Sequence, residues 1–402
     1  MEEIKKDIEK AVLFTLSPFA NTELIAQIKN WNYVIDFLYS RKLAGRFYRQ
    51  LKQTSYLSQI PSFIEEKLEQ IYHFFAIKNQ LYLNELEKVW KALEQEKIFL
   101  LVLKGTSLLL KKFYQLGERY QIDIDFFVAD GDREKIRQIL KPLRYFPVYH
   151  SDHSWWSEDH YVLGEGGVRD VFMVSLEFHW DFKPLNQKFN QDLKELFKAN
   201  WDWVDFKGNK YRVPSSELQF YQSAIHGCAY HPFDSAYFWS TLLDLSVILA
   251  KEKLDYDFII EVAKKHSLSE QLAIIFYILW QKLGLGEELW QKISHQIKIK
   301  NIVQKTSELL WQVFLSPYPI SFANISLVLS KSSLKEKLKA ISELLGVSSG
   351  VGVAVSEKKL TVKRPSVIEK LKNRTRVLTK DFIKLSINIA RLYRKTGFKP
   401  IP

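Results

Sequence analysis

An acidic pair inside an apolar segment is the feature that most constrains how this chain folds. Residues 122–128 read Ile-Asp-Ile-Asp-Phe-Phe-Val, the β-branched and aromatic composition of a strand. Because side chains alternate between the two faces of a strand, Asp123 and Asp125 are predicted to share one face. The opposite face, which is expected to enter a core, carries Ile122, Ile124 and Phe126. Two like charges side by side favour a bound cation, and Mg²⁺ binds through one or two carboxylates plus substrate phosphates.

Composition predicts an ordered, multidomain protein. The chain has 402 residues, of which 47% are hydrophobic and 14% aromatic, so two or three domains with buried cores are expected. The single cysteine, Cys228, excludes an internal disulfide framework and a cysteine-based zinc site, which fits a reducing cytoplasm. Residues 1–7 lack the pattern of a signal peptide, and we find no apolar segment of about 20 residues that would span a bilayer. We therefore expect a cytoplasmic location.

The net charge of +12 is concentrated in the C-terminal segment 357–402. Apolar and basic residues are interleaved from Ile368 to Tyr393, the pattern of a basic amphipathic helix. Such a helix suits an anionic membrane surface, which would make the protein membrane-peripheral, or nucleic acid, or an acidic partner. The alternative is a terminal helix that docks on the body with its lysines in water.

Hydrophobic periodicity divides the chain into helical and mixed regions. We predict an N-terminal helical region (1–96), an α/β core (97–214), a C-terminal helical domain (215–345), and a linker with the basic tail (346–402). The fold class is therefore α+β, with a small mixed β-sheet flanked by helices. The N-terminal region is expected to end in a helix over 79–96 whose inward face carries Leu83, Leu86, Val89, Trp90 and Leu93.

Within the core, alternating strands and helices are expected. We predict strands over 98–103 and 122–128, and helices over 106–116 and 132–140, the latter capped by Asp130 or Asp132. The strand-like stretch 145–182 is interrupted by a glycine cluster, 164–167, that is typical of a hairpin connection. Beyond Pro214, helices are predicted over 216–230, 236–251 and 256–265, with others following to about residue 345.

A second alternating strand carries further polar residues. In residues 174–182 one face presents Leu176, Phe178, Trp180 and Phe182, and the other presents Ser175, Glu177, His179 and Asp181. If this strand neighbours the first, Glu177 lies beside Asp123 and Asp125. Three carboxylates on adjacent strands suit a two-metal transfer at phosphorus, in which the third also accepts the proton of the nucleophile. His179 either contacts substrate or metal-bound water, or is a hydrogen-bonded structural histidine.

The junction Lys104-Gly105-Thr106 joins a predicted strand to a helix. Gly105 would let backbone N–H groups approach a phosphate, and the helix N-terminus would favour its charge. Lys104 would supply a compact positive charge to the β- and γ-phosphates. Arg119 is a second candidate contact for a phosphate or a base.

These residues, taken in order, resemble a known family. The set comprises Leu103-Lys104-Gly105, Arg119 with Asp123-Ile124-Asp125, and Glu177-Phe178-His179-Trp180, followed by His226, His231 and Asp244 in a helical segment. It resembles the bacterial nucleotidyltransferase-like family of the DNA polymerase β superfold over about residues 10–345. The resemblance implies a nucleotidyltransferase core in which Asp123 and Asp125 ligate Mg²⁺ and Glu177 is the third carboxylate. The superfold usually carries Gly-Ser at the junction, so Thr106 or Lys104 would replace the serine contact.

The leading hypothesis is a Mg²⁺-dependent nucleotidyltransferase that moves an NMP from an NTP, foremost ATP, to an unknown acceptor. Two Mg²⁺ ions are expected, with Mn²⁺ as an alternative, and the acceptor is a small molecule, a peptide or RNA. One alternative keeps the site but transfers a phosphoryl group to a metabolite or peptide. Another is a catalytically silent binding module that acts through the basic tail. The sequence does not specify the oligomeric state.

Three further features are less specific. His226 and His231 are five residues apart, which is not the i, i+4 spacing of a helical zinc site, so we favour helix packing. Asp244 lies in an apolar helix and is expected to pair with one of these histidines. Trp155 and Trp156 either stack on a base or pack on the core.

Overall fold

The computed structural model describes residues 2–19, 21–128, 133–147, 158–163, 173–180, 187–230 and 235–315. Helices dominate both ends of this part of the chain, and a mixed sheet lies between them, which confirms the predicted α+β class. The helices are α1 (Glu2–Leu16), α2 (Thr22–Ala26), α3 (Trp31–Ser40), α4 (Ala44–Gln53), α5 (Ser62–Gln95), α6 (Lys104–Leu110), α7 (Arg133–Leu140), α8 (Gln187–Ala199), α9 (Ser216–Ile225), α10 (Ser235–Lys251), α11 (Tyr256–Lys265), α12 (Ser269–Leu283), α13 (Glu287–Ser294) and α14 (Lys300–Phe314).

The strands form two sheets. They are β1 (Leu100–Val102), β2 (Ile124–Val128), β3 (Tyr145–Pro147), β4 (Glu158–Leu163), β5 (Ser175–His179), β6 (Trp201–Phe206) and β7 (Asn209–Pro214). The first five form one sheet in the order β1-β2-β5-β4-β3, and β6 and β7 form a separate hairpin. Strands β2 and β5 are parallel and the other neighbours are antiparallel, so the sheet is mixed as predicted.

The two faces of the large sheet bury different sets of side chains. One face carries Ile124, Phe126, Leu176 and Phe178, which share a core with residues of α5 and α7. On the other face Phe127 and Leu101 pack against residues of α6, α8 and α9. The acidic positions of β2 and β5 lie on this second face, by the alternation along each strand. Because the face of the sheet opposite the acidic residues is buried in the first core, the sheet holds those residues in a fixed position.

Helix α5 confirms the predicted inward face and extends beyond it. Leu83, Leu86, Val89, Trp90 and Leu93 are all buried. The helix runs without interruption for 34 residues, however, rather than beginning near residue 79. It reaches from the N-terminal helices across the apolar face of the sheet, which the local periodicity does not reveal.

The strand around the acidic pair is shorter than predicted. Strand β2 begins at Ile124, so Asp123 precedes it, and Ile122 lies in a bend with 46% of its surface exposed. The expectation that Ile122 enters the core is therefore wrong, because the alternation of a strand does not extend to a residue outside it. Helix α6 likewise begins at Lys104 and ends at Leu110, instead of covering residues 106–116. Lys112 adopts a left-handed conformation with φ 58°, which is incompatible with a continuing helix.

The β6–β7 hairpin was not predicted from the sequence. Phe206 pairs with Asn209, so the loop is the dipeptide Lys207-Gly208, and both loop residues have positive φ (53° and 78°). A two-residue loop with positive φ at both positions is the type I′ geometry that matches the twist of paired strands. Gly208, with alternating residues on either side, was the feature of the sequence that could have indicated the hairpin.

The helices after Pro214 are confirmed as far as residue 315, with a π-helical turn, His226–Tyr230, closing the segment predicted as helix over 216–230. Strands β4 and β5 pair antiparallel, as a hairpin requires. The predictions for Asp130, Asp132, Trp155, Trp156, Gly164–Gly167, Asp181, Phe182, His231, the helices of 316–345, the linker 346–356 and the basic tail 357–402 lie outside the described residues. The proposed domain boundaries remain a prediction. No helix in the described ranges is both long enough and apolar enough to span a membrane.

Candidate active site

The parallel pairing of β2 with β5 places two carboxylates side by side. Asp125 is the register partner of Glu177, and His179 follows two residues later on the same face. One ligand atom from each of these three residues lies within 4.8 Å of the others. Asp125 and His179 are buried and Glu177 is partly exposed, so the group opens towards solvent on one side. The predicted neighbourhood of the two strands is confirmed.

The side chains of Lys104 and His179 contact these carboxylates. Lys104 Nζ is 2.5 Å from Asp125 Oδ1 and 3.8 Å from Glu177 Oε2. His179 Nε2 is 2.8 Å from the same Asp125 oxygen. Burial alone would raise the pKa of Asp125, but Lys104 and the hydrogen bond from His179 outweigh it and hold the pKa well below its usual range. Asp125 therefore remains a carboxylate at neutral pH.

Asp123 lies beside this group, and its pKa is shifted in the direction opposite to that of Asp125. Its pKa is raised well above the usual range by burial, by the negative charge of Asp125 and by that of Glu177. The three carboxylates thus interact electrostatically. The residues whose ligand atoms lie within 4.8 Å of one another are Asp125, Glu177 and His179, and Asp123 is not one of them. A divalent cation would relieve this repulsion, which is the physical reason to expect one between them.

The strand-to-helix junction is held in an unusual backbone conformation. Lys104 has φ 49°, in the left-handed region that non-glycine residues rarely adopt. Its carbonyl accepts hydrogen bonds from the Ser107 hydroxyl at 2.7 Å and from the Gln219 amide at 3.4 Å. The Leu103 N–H donates to the Asp125 carbonyl at 2.9 Å. This conformation turns the chain from β1 into α6, and the Lys104 side chain lies at the carboxylates.

The other residues predicted to bind phosphate are engaged with protein groups. The Thr106 hydroxyl donates to Gln121 Oε1 at 2.8 Å and is buried. A Cβ atom at position 105 would lie only 1.8 Å from Arg119 Nη1, so glycine is required there because the guanidinium packs on it. The Arg119 guanidinium therefore lies against Gly105, and phosphate binding by Lys104, Gly105 and Thr106 remains a prediction.

Arg119 forms a buried ion pair. Its Nε and Nη2 donate to the two carboxylate oxygens of Asp244, each at 2.8 Å, and the Tyr114 hydroxyl donates to Asp244 Oδ1 at 2.8 Å. Among the described residues, Arg119 and Tyr114 thus take the place of the histidine expected beside Asp244. His226, in the π-helical turn, has its ring edge-on to Tyr237 at 5.3 Å, which fits a packing role. The role of Arg119 as a nucleotide contact remains a prediction.

Sequence reasoning missed several residues that build the site. His160 of β4 is the register partner of Glu177, and its Nδ1 lies 3.2 Å from Glu177 Oε1. From α5, the Asn79 amide donates to the carbonyls of Leu116 and Arg119, each at 2.6 Å. The Tyr82 hydroxyl donates to the carbonyls of Ile122 and Met173, at 2.6 and 3.0 Å. Helix α5 therefore fixes both the loop before β2 and the approach to β5.

The donor set fits a divalent cation that prefers oxygen ligands. Two carboxylates and an imidazole converge, a third carboxylate lies beside them, and the negative charges already attract Lys104 and His179. Carboxylate oxygens suit Mg²⁺ and Mn²⁺, and the imidazole is compatible with Mn²⁺. The set lacks cysteine, since Cys228 is buried elsewhere in the helical core.

An acidic group on paired strands of a small mixed sheet, with a lysine at the preceding strand-to-helix junction, is the arrangement expected of a nucleotidyltransferase-like core. The family model described as "Uncharacterised nucleotidyltransferase" matches residues 28–283, and the chain belongs to that family. No curated protein and no solved structure matches the chain. The matched range includes α5, the sheet and the helix that carries Asp244, so it covers the whole site.

Proposed function

We propose that the protein is a divalent-metal-dependent nucleotidyltransferase that moves an NMP from an NTP, foremost ATP, to an acceptor hydroxyl or amine. The observation that carries the proposal is the convergence of Asp125, Glu177 and His179 within 4.8 Å, with Asp123 beside them. Membership of a nucleotidyltransferase family supports the reaction class. Mg²⁺ is the expected metal, held by Asp123, Asp125 and Glu177, and His179 is an additional candidate ligand.

The reaction would join the acceptor to the α-phosphorus of the nucleotide. The acceptor oxygen or nitrogen forms a bond to that phosphorus, the bond to the bridging oxygen breaks, and pyrophosphate leaves. Glu177 is assigned as the base that takes the acceptor proton, because its carboxylate is partly exposed and adjoins Asp125. A bound metal ion would supply Lewis-acid stabilisation of charge on the phosphate oxygens.

The side chains around the carboxylates have separable roles in this scheme. Lys104 is assigned to the charge that develops on the leaving pyrophosphate, since it lies at the carboxylates on a rigid junction. His160 positions Glu177 through its contact at 3.2 Å. Arg119 and Thr106 keep the junction and the loop before β2 in register through their pairing with Asp244 and Gln121.

The test is metal and nucleotide binding by calorimetry, followed by mass spectrometry of the products. Asp125→Asn and Glu177→Gln should each abolish Mg²⁺-dependent ATP binding. Asp159→Asn is the matched control, because Asp159 lies on the neighbouring strand but pairs with Phe178, on the opposite face of the sheet. A product heavier by an NMP supports nucleotidyl transfer, and one heavier by phosphate alone contradicts it. Unchanged MgATP affinity in Asp125→Asn would overturn the metal assignment.

A further inference from the structure

Two lysines of the N-terminal helical region lie beside Asp123. Lys42 follows α3 and adopts a left-handed conformation with φ 62°, and Lys78 belongs to α5 and is only 4% exposed. Asp123 acts electrostatically on both of them. They come from segments that the sequence assigned only to helical packing.

Aromatic rings, rather than carboxylates, surround these two ammonium groups. Lys78 Nζ donates to the Tyr120 hydroxyl at 3.0 Å and lies over the rings of Tyr120 and Tyr82, at 4.5 and 5.5 Å from their centroids. Lys42 Nζ lies 5.9 Å from the ring centroid of Tyr120 and 5.8 Å from that of Tyr237. Within the described part of the chain, neither lysine forms an ion pair with a carboxylate.

The environment leaves both lysines short of negative charge. Burial lowers the pKa of each to about 8, against the opposing attraction of Asp123. The positive charges of Arg119 and Lys78 lower the pKa of Lys42 further. An anion beside the two ammonium groups would relieve their mutual repulsion and their loss of solvation.

At the junction, the Arg119 and Thr106 side chains are already paired with protein groups, which leaves Lys104 as the junction cation that the proposed function assigns to pyrophosphate. The guanidinium of Arg119 covers Gly105 and is paired with Asp244, and the Thr106 hydroxyl is bound to Gln121. Lys104 lies on the carboxylates. Among the described residues, Lys78 of α5 and Lys42 of the turn after α3 are therefore cations that lie near the carboxylate group without an ion pair of their own.

We propose that Lys42 and Lys78, together with the Tyr120 hydroxyl, form the anion subsite that binds the phosphate chain of the nucleotide. The inference rests on the proposed function and extends it, because it assigns polyphosphate binding to the N-terminal helices. In this arrangement the nucleotide would span from the carboxylates of β2 and β5 to the lysines. Asp123 lies where the two charged regions meet.

The test uses Lys42→Met and Lys78→Met in the full-length protein, with Lys52→Met as the matched control. Lys52 is an exposed lysine of the same region that also lies over a tyrosine ring, 5.8 Å from the centroid of Tyr48. Calorimetry measures the affinities for MgATP and for inorganic tripolyphosphate, and electron paramagnetic resonance measures Mn²⁺ binding without nucleotide. Each site variant should weaken binding of both phosphate compounds about tenfold or more, since a charge-assisted hydrogen bond is lost, and should not weaken Mn²⁺ binding.

Stability separates a binding role from a structural one. Methionine is apolar and similar in length, so Lys78→Met should unfold at a temperature equal to or above that of the wild type. Lys78→Arg and Lys42→Arg should retain part of the phosphate affinity. Loss of phosphate binding without loss of stability therefore supports the subsite.

The outcomes distinguish the two proposals. If MgATP binding is abolished by Asp125→Asn but stays within twofold of wild type in Lys42→Met and Lys78→Met, the nucleotidyltransferase function stands and the lysine subsite is refuted. If tripolyphosphate binds and depends on both lysines but no nucleotide binds, the subsite stands as an anion site and the proposed function fails.

Discussion

The ion pair between Arg119 and Asp244 ties the loop before the acidic strand to helix α10, and its removal gives the clearest stability prediction. Two parallel N–H···O bonds of 2.8 Å join the side chains, and the Tyr114 hydroxyl adds a third bond to Asp244. The side chains are only 16% and 8% exposed. We expect this pair to be a strong link between the helical region and the loop.

The perturbation is Asp244→Asn, which preserves size and removes the negative charge. The guanidinium of Arg119 then stays buried without a counter-charge, and one of its N–H groups faces an amide N–H. Breaking a buried pair from one side costs about 3–5 kcal/mol. Because Arg119 retains some solvent contact, we expect a loss near the lower end, about 3 kcal/mol in the free energy of unfolding.

The assay is urea unfolding followed by far-ultraviolet circular dichroism, arranged as a double-mutant cycle with Arg119→Met. Each single variant should lose stability, and the double variant should lose much less than the sum, because it leaves no uncompensated charge. Asp257→Asn is the control: Asp257 makes two bonds of 2.7 and 2.8 Å to Lys292, but its side chain is 72% exposed. Loss of such a surface pair should have little measurable effect.

The reasoning would be refuted by a loss below about 1 kcal/mol in Asp244→Asn, the range of an exposed pair. Additive losses in the double variant would refute it equally, since they would mean that the two charges do not interact. A variant that keeps its stability but loses ATP affinity would instead indicate that Arg119 acts on the nucleotide, as the sequence analysis expected.

Three further predictions concern packing and pH. Gly105→Ala should destabilise the protein in thermal unfolding, because the new Cβ would lie 1.8 Å from Arg119 Nη1, and the same substitution should cost much less when it is made in an Arg119→Met background. Tyr82→Phe should cost about 1–3 kcal/mol in urea unfolding, since two backbone carbonyls at the site lose their donor in a buried position. Burial lowers the pKa of His266 to about 4, so between pH 6.5 and 4 the unfolded chain binds more protons and stability falls as the pH drops. The loss should reach at most about 3 kcal/mol, and His266→Gln should flatten this pH dependence while His73→Gln, on an exposed side chain, should not.

The acidic half of the site was predictable because it depends on local geometry. Alternation along a strand places Glu177 and His179 on one face from the sequence alone, and the parallel register then sets Glu177 beside Asp125. The same rule failed at Ile122, where the strand had not yet begun. The alternation of side chains therefore predicts which face a residue lies on only inside the strand, and the sequence does not show at which residue the strand begins.

The pairing of Arg119 and the positions of Lys42 and Lys78 were not predictable, because each contact joins residues distant in sequence. Asp244 reaches Arg119 from 125 positions away, and Lys78 meets Tyr120 from 42 positions away. In the sequence, Lys78 is one of many lysines on a helix, a residue type that is normally solvated. Only the path of the long helix α5 along the sheet buries it beside Asp123.

The separation of charge across the site restricts which ligand can satisfy it. A metal ion alone would neutralise the carboxylates of β2 and β5 but would repel Lys42 and Lys78. An anion alone would neutralise the lysines but would be repelled by the carboxylates. A metal bound to a polyphosphate carries both charges, with the cation at one end and unneutralised oxygens along the chain. Asp123, whose pKa is raised by burial and by its acidic neighbours, also attracts the two lysines. The metal–nucleotide complex of the proposed function has a charge distribution that matches that of the site, so we expect removal of either the carboxylates or the lysines to weaken its binding.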